Sequence, residues 1–112
     1  MGSFSLTSER SDDVAIVTIS GRVDSVSAIS MDAELTKIAH DNKKIVLDLK
    51  DVDYISSAGI RAIVKLLQST KKAGGGVKLA NMPANVVDVL ETVGMLQMVE
   101  AFPTVDEAVA GF

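Results

Sequence analysis

The spacing of apolar and polar residues divides the chain into segments that alternate between strand and helix patterns. Residues 3–9 alternate apolar with polar side chains, as a half-buried edge strand does, and residues 14–20 form a second strand that is expected to end at Gly21. The short link between these strands favours an antiparallel hairpin. Residues 25–41 then predict an amphipathic helix whose apolar stripe comprises Ala28, Met31, Leu35, Ile38 and Ala39.

The centre of the chain changes from a strand pattern to a helix pattern near Ser56 and Ser57. A short apolar run predicts a strand buried on both faces, with Asp48 near its end; the run comprises Ile45, Val46, Leu47 and Leu49. From Ala58 onward the apolar residues recur at the spacing of one helical face, namely Ile60, Ile63, Val64 and Leu67. The two serines therefore stand where the strand passes into the helix.

The last third of the chain repeats this alternation. Residues 77–82 predict a strand, residues 83–94 a helix that begins at Pro83, and residues 96–102 a short last strand. Thr104 and Glu107 have the spacing of a capping box, which predicts a short C-terminal helix. The pattern predicts one α/β domain over residues 1–112, with a mixed sheet of four to five strands and about four helices.

The position of the two serines suggests a chemical role. A serine just before a helix can accept a hydrogen bond from a free N–H group of the first turn, so either Ser56 or Ser57 could be the cap. The same N–H groups and the positive end of the helix dipole also tolerate a phosphate group. Capping is the simpler of the two interpretations, and the local pattern alone does not exclude it.

Composition and charge narrow the classes of function. Hydrophobic residues make up 47% of the chain and charged residues 23%, which indicates a globular protein. A net charge of −4 argues against nucleic acid as the partner. The absence of cysteine fits a reducing cytoplasm, and no apolar run is long enough to cross a membrane. We expect a cytoplasmic protein without a nucleic-acid or membrane partner.

Few residues are suited to catalysis or metal binding. His40 is the only histidine, so the chain has no Ser-His pair, and we expect it on the surface near a helix end. Solvated loop charges are the simplest interpretation of Asp48, Asp51 and Asp53, although three carboxylates at a strand end could bind Mg²⁺. We therefore expect no catalysis, no cofactor and no metal. The basic stripe formed by Arg61, Lys65 and Lys72 is a solvated helix face or a surface for an acidic partner.

The segment DVDYISSAGIRAIV resembles the phosphorylation segment of STAS domains, specifically of the bacterial anti-sigma factor antagonists. That family segment usually reads as an apolar residue, Asp, Ser, Ser or Thr, Gly and Leu. Aligning Gly59 with the family's glycine places Ser57 on the phosphorylated serine, Ala58 between them and Ile60 on the leucine, whereas Ser56 replaces the aspartate. The stretch SGRVDSVSA is similar to the family's Gly-x-x-Asp turn and matches Asp24 to an aspartate near that serine. The resemblance spans roughly residues 4–110.

This resemblance implies a non-catalytic regulator. The unphosphorylated protein is expected to bind an anti-sigma factor that is itself an ATP-using serine/threonine kinase, and so to release the target which that kinase holds. Phosphorylation of Ser57 is expected to end the binding, and a serine phosphatase to restore it. The implied partner-binding residues are Asp24, Ser56, Ser57, Ala58, Gly59, Ile60 and Arg61.

Two alternatives remain open. A STAS domain could instead be a regulatory module of another assembly, such as a stress complex, a transporter or a secretion regulator. A less favoured alternative is a magnesium-binding receiver-like domain or a small enzyme that uses Asp48, Asp51 and Asp53. The absence of a base for Ser57 argues against an enzyme.

Overall fold

A computed structural model describes residues 3–112 and confirms an α/β fold with a mixed sheet of five strands and four helices. The strands lie in the order β1-β2-β3-β4-β5, which is also their order along the chain. The elements are β1 (Ser5–Ser11), β2 (Val14–Val23), α1 (Ser27–Asp41), β3 (Lys44–Ile55), α2 (Ser57–Lys72), β4 (Gly76–Ala80), α3 (Ala84–Thr92), β5 (Glu100–Phe102) and α4 (Val105–Ala110).

The predicted antiparallel hairpin is confirmed, and the rest of the sheet is parallel. Strand β1 pairs with β2 from Ser5 opposite Ser20 to Ser11 opposite Val14. The pairs β2/β3, β3/β4 and β4/β5 are all parallel, because each is connected by a helical crossover. Parallel strands end at the same edge of the sheet, so the crossovers that leave β2 and β3 lie side by side.

Helices cover both faces of the sheet, and successive residues of β3 point into different clusters. Ile45, Leu47 and Leu49 belong to the larger core cluster, together with apolar residues of α1, α2 and α3. Val46 points to the other face and packs with Ala108 of α4. Alternate burial on two faces explains why this strand is an almost continuous apolar run.

Strands β2 and β3 continue beyond the predicted ends. Gly21 does not end β2; it adopts a left-handed φ of 85° beside two register shifts, so the strand bends there and continues to Val23. Likewise β3 does not end near Asp48, and Asp51 and Asp53 are strand residues with outward-facing polar side chains rather than loop charges. The extension matters because it carries both strands to the edge where α1 and α2 begin.

Smaller differences occur in the last third of the chain. Pro83 is the N-cap of α3 rather than its first residue. The predicted strand over residues 96–102 is shorter, because Met95–Gln97 form a turn of 3-10 helix before β5. The cap of α4 is as predicted, since the Thr104 side chain accepts a hydrogen bond from the Glu107 N–H group. No helix within residues 3–112 is long and apolar enough to span a bilayer.

Candidate functional site

The candidate site lies where the crossover from β2 to α1 meets the junction of β3 and α2. Val23 and Ile55 are paired at the ends of the two parallel strands. The backbone N–H of Ser56 donates a hydrogen bond of 2.8 Å to the carbonyl oxygen of Val23. This bond ties the two crossovers together, so the serine segment and the turn at Asp24 form one surface.

The structure separates the roles of the two serines. Ser56 is the N-cap of α2, and its hydroxyl accepts a hydrogen bond of 3.2 Å from the Gly59 N–H group. Ser57 is the first residue of the helix and is exposed, and no hydrogen bond of its hydroxyl is found within residues 3–112. Of the two serines, Ser57 is therefore the more exposed, and its hydroxyl does not make the cap bond.

Asp24 organises the neighbouring turn. Its Oδ1 atom accepts hydrogen bonds from the N–H groups of Val26 at 3.0 Å and Ser27 at 2.9 Å. In return, the Asp24 N–H donates to the Ser27 hydroxyl at 2.9 Å. The hydrogen bond from the Ser27 backbone is the main cause that lowers the pKa of this carboxyl group, so Asp24 is held ionised. From the sequence, Asp24 was matched only through the family's Gly-x-x-Asp turn; the Asp-x-x-Ser spacing of Asp24 and Ser27 is a signal that could have predicted these hydrogen bonds.

Gly59 and Ile60 shape the site from inside the core. A Cβ atom on Gly59 would lie 2.7 Å from Val23 Cγ1 and 2.9 Å from Ile55 Cγ1, so only glycine lets the first turn of α2 approach the two strand ends this closely. Ile60 is buried in the core. Ala58 is half-buried and Arg61 is exposed, so these two, unlike Gly59 and Ile60, reach the surface beside Ser57.

A groove between α1 and α2 extends this surface and was not predicted from the sequence. Its volume is about 250 Å³, and both Ala58 and Arg61 line it. On the α1 side, Ile29 lines the groove and is 72% exposed. Val26, the N-cap residue of α1, does not line the groove but is 74% exposed beside the lining residue Ser25. A signal was present in the sequence, because both residues lie outside the apolar stripe of the α1 helix.

The acidic residues of β3 do not form a metal site. Asp48 accepts hydrogen bonds from the Asn81 side chain at 3.2 Å and the Lys50 N–H at 3.1 Å, while Asp51 and Asp53 are exposed. In the part of the chain that the structure describes, no three His, Cys, Asp or Glu residues are grouped to hold a metal ion. Asp48, Asp51 and Asp53, which the magnesium-binding alternative would use, are therefore not brought together as a group of three. His40 is exposed in the last turn of α1, as expected.

Comparison with known proteins gives the same family as the serine segment. A profile of the STAS domain family matches residues 5–108. The Bordetella bronchiseptica protein BtrV, named as an anti-sigma factor antagonist, is 31% identical over 108 residues, which cover 96% of this chain and 93% of BtrV. The chain belongs to the STAS domain family.

Solved structures show that the fold is shared. The crystal structure of an anti-sigma factor antagonist from Mycobacterium paratuberculosis matches with a TM-score of 0.90 and 22% identity, covering 97% of this chain and 93% of that one. The Bacillus cell fate determinant SpoIIAA in its phosphorylated form matches with a TM-score of 0.74 and 14% identity, covering 97% and 98% of the two chains. At these identities the likeness concerns the fold alone.

Proposed function

We propose that the protein is an anti-sigma factor antagonist that acts by partner switching. Unphosphorylated, it binds an anti-sigma factor with serine kinase activity and thereby frees the target that this kinase holds. Phosphorylation of Ser57 by the kinase, with ATP, ends the binding, and a serine phosphatase resets the cycle. The protein itself is non-catalytic and works in the cytoplasm, where ATP and the transcription machinery are present.

One observation carries the proposal: Ser57 is exposed on the first turn of α2, while the adjacent Ser56 makes the cap bond. A kinase can therefore modify Ser57 without removing the hydrogen bond that begins the helix. The relative BtrV, named as an anti-sigma factor antagonist, supports the choice of partner class.

The phosphate would act through charge rather than through unfolding. It adds roughly −1.5 to −2 charges and three acceptor oxygens to the surface that faces the partner. Like-charge repulsion and the cost of removing water from the phosphate then disfavour the complex. Within the domain, the positive end of the α2 dipole favours the same phosphate, so the fold is retained.

The test is to incubate the protein with the anti-sigma factor kinase of the same genome and ATP, followed by intact-mass measurement and peptide mapping. We expect one phosphate, on Ser57. Ser57→Ala should remain bound to the kinase, Ser57→Glu should bind weakly, and Ser56→Ala should still be phosphorylated. Phosphate on Ser56, or on neither serine, would overturn the proposal.

A further inference from the structure

The groove between α1 and α2 extends from Ala58, beside Ser57, to an ion pair that joins the two helices. Its floor is shallow because small side chains meet there, with Ala28 of α1 and Ala62 of α2 both buried. At the end away from Ser57, the Lys65 ammonium pairs with Asp32 Oδ2 at 3.3 Å and joins the two helices.

Two apolar side chains at the start of α1 are largely exposed. Val26 is the N-cap residue of α1 and has helical backbone angles, and Ile29 follows three residues later, so the two lie on the same side of the helix start. They are the two most exposed large hydrophobic residues of the described chain. Exposed apolar side chains clustered beside a groove mark an interaction site more often than isolated ones do.

The positive charge of Arg61 beside the groove indicates which kind of partner group would bind there. Arg61 is exposed in a protein with a net charge of −4, and within residues 3–112 its guanidinium group has no ion pair, whereas Lys65 one turn further along is paired. A carboxylate is the natural partner of a guanidinium group. A surface with two apolar anchors and one available cation fits a segment that carries an apolar side chain next to an acidic one.

From these observations, and resting on the proposed function, we infer that Val26, Ile29 and Arg61 form the docking surface for the anti-sigma factor kinase. The kinase contributes an apolar side chain, which packs on Val26 and Ile29 at the groove, and a carboxylate, which pairs with Arg61. The surface lies next to the serine that the kinase modifies.

The same arrangement explains how a phosphate on Ser57 would interrupt docking. Ser57 and Arg61 are four residues apart on α2, so their side chains are neighbours on the helix surface. A phosphate on Ser57 is therefore positioned to bind the guanidinium group within the same chain. Arg61 is then no longer available to the kinase carboxylate, and the phosphate repels that carboxylate.

The docking surface is tested by calorimetric titration with the purified anti-sigma factor kinase of the same genome and ADP. We expect Ile29→Ser and Val26→Ser each to raise the dissociation constant of the complex roughly tenfold, because each variant loses the burial of an apolar side chain. Arg61→Gln should have a similar effect. The matched controls are Val93→Ser at the C-cap of α3, where Val93 is 55% exposed, and Lys72→Gln at the end of α2; we expect both to bind like the wild type.

The predicted contact between Arg61 and the phosphate is tested without the kinase, on protein synthesised with phosphoserine at position 57. Phosphorus NMR against pH gives the second pKa of the phosphate. This pKa should be higher in Arg61→Gln than in the wild-type sequence, because a neighbouring cation stabilises the dianion, and Lys72→Gln should leave it unchanged. Equal phosphate pKa values with and without Arg61 would overturn this part of the inference.

The outcomes separate the two proposals. If Ile29→Ser and Val26→Ser bind like the wild type while Ser57→Glu binds weakly, the docking surface is wrong and the proposed function stands. If these variants weaken binding but the kinase does not phosphorylate Ser57, the surface stands and the switch is wrong. If sedimentation shows a dimer of the protein that Ile29→Ser dissociates, the groove binds a second copy and the inference fails.

Discussion

At the scale of single residues, two adjacent serines with the same chemistry have different positions. The sequence could place the helix start only to within a residue, and a hydroxyl at either position could serve as the cap. The hydrogen bond from the Gly59 N–H to Ser56 Oγ decides the question. What distinguishes the serines is thus the backbone conformation, extended at Ser56 and helical at Ser57, which a serine pair does not encode by itself.

This assignment predicts different stabilities for two matched variants. Ser56→Ala removes the cap acceptor and should lower the free energy of unfolding by about 1 kcal/mol. Ser57→Ala, an exposed change of the same size, should stay within about 0.5 kcal/mol of the wild type. Urea denaturation followed by circular dichroism measures both. A larger loss for Ser57→Ala than for Ser56→Ala would mean that Ser57 is the cap.

At the scale of elements, the helices and the buried parts of the strands follow from apolar periodicity. The extension of β3 to Ile55 could not be predicted from apolar periodicity, because DVDYI has polar residues on its solvent side and resembles a turn in sequence. Its buried residues, Val52 and Ile55, pair with β2 across register shifts that no short sequence pattern reveals. Long-range pairing between strands, rather than local preference, sets where this strand ends.

At the candidate site, too, the sequence predicted some features and not others. The location of Ser57 at a helix start followed from the change in apolar spacing after Ala58. Its exposure did not follow, because Ile60, three residues further along on the same side of the helix, is in the core. The groove beside it did not follow, because it requires knowing that α1 and α2 pack against each other and that alanines meet there. The sequence shows that Val26 and Ile29 lie outside the buried stripe of α1, but it does not show which residues of α2 lie beside them.

The position of α2 depends on the close approach at Gly59. Gly59→Val places side-chain atoms where Val23 and Ile55 already lie, and should lower the free energy of unfolding by about 2 kcal/mol. Ser69→Val, at an exposed position of the same helix, is the control for introducing a β-branched residue and should change the free energy of unfolding by less than about 0.5 kcal/mol, because serine and valine have similar helix propensities. Thermal denaturation compares the two. Equal losses would show that α2 does not require the contact at Gly59.

At the scale of the whole molecule, acidic residues outnumber basic ones, and some of the ion pairs join parts of the fold that are distant in sequence. The Lys44 ammonium on β3 bonds Asp13 Oδ2 at 2.9 Å, next to the start of β2, and Lys65 of α2 pairs with Asp32 of α1. Exposed pairs of this kind each contribute little to stability. They also shape the distribution of charge: Lys65 is paired with Asp32, whereas Arg61, which lines the same groove, has no ion pair within residues 3–112.

The dependence of stability on pH follows from two carboxyl groups whose pKa is lowered from the ordinary value of 3.8. The hydrogen bond from Lys44 lowers the pKa of Asp13, and the hydrogen bond from the Ser27 backbone lowers that of Asp24. Below about pH 4 the unfolded chain therefore binds protons that the native state still excludes. The stabilisation from both groups is complete well above pH 3.8, begins to decrease as the pH approaches this value, and is lost as the pH falls through their native pKa values.

We accordingly expect the urea midpoint to fall between pH 5 and pH 3, and to fall less in Asp24→Asn, whose amide oxygen can still accept hydrogen bonds but does not titrate. Asp41→Asn, exposed at the end of α1, provides the control for removing one negative charge from the whole molecule. Its midpoint should follow pH as the wild type does. If the urea midpoint changed with pH equally in Asp24→Asn and the wild type, the Asp24 carboxylate would bind a proton as readily in the native state as in the unfolded chain. Its hydrogen bonds would then not favour the ionised form.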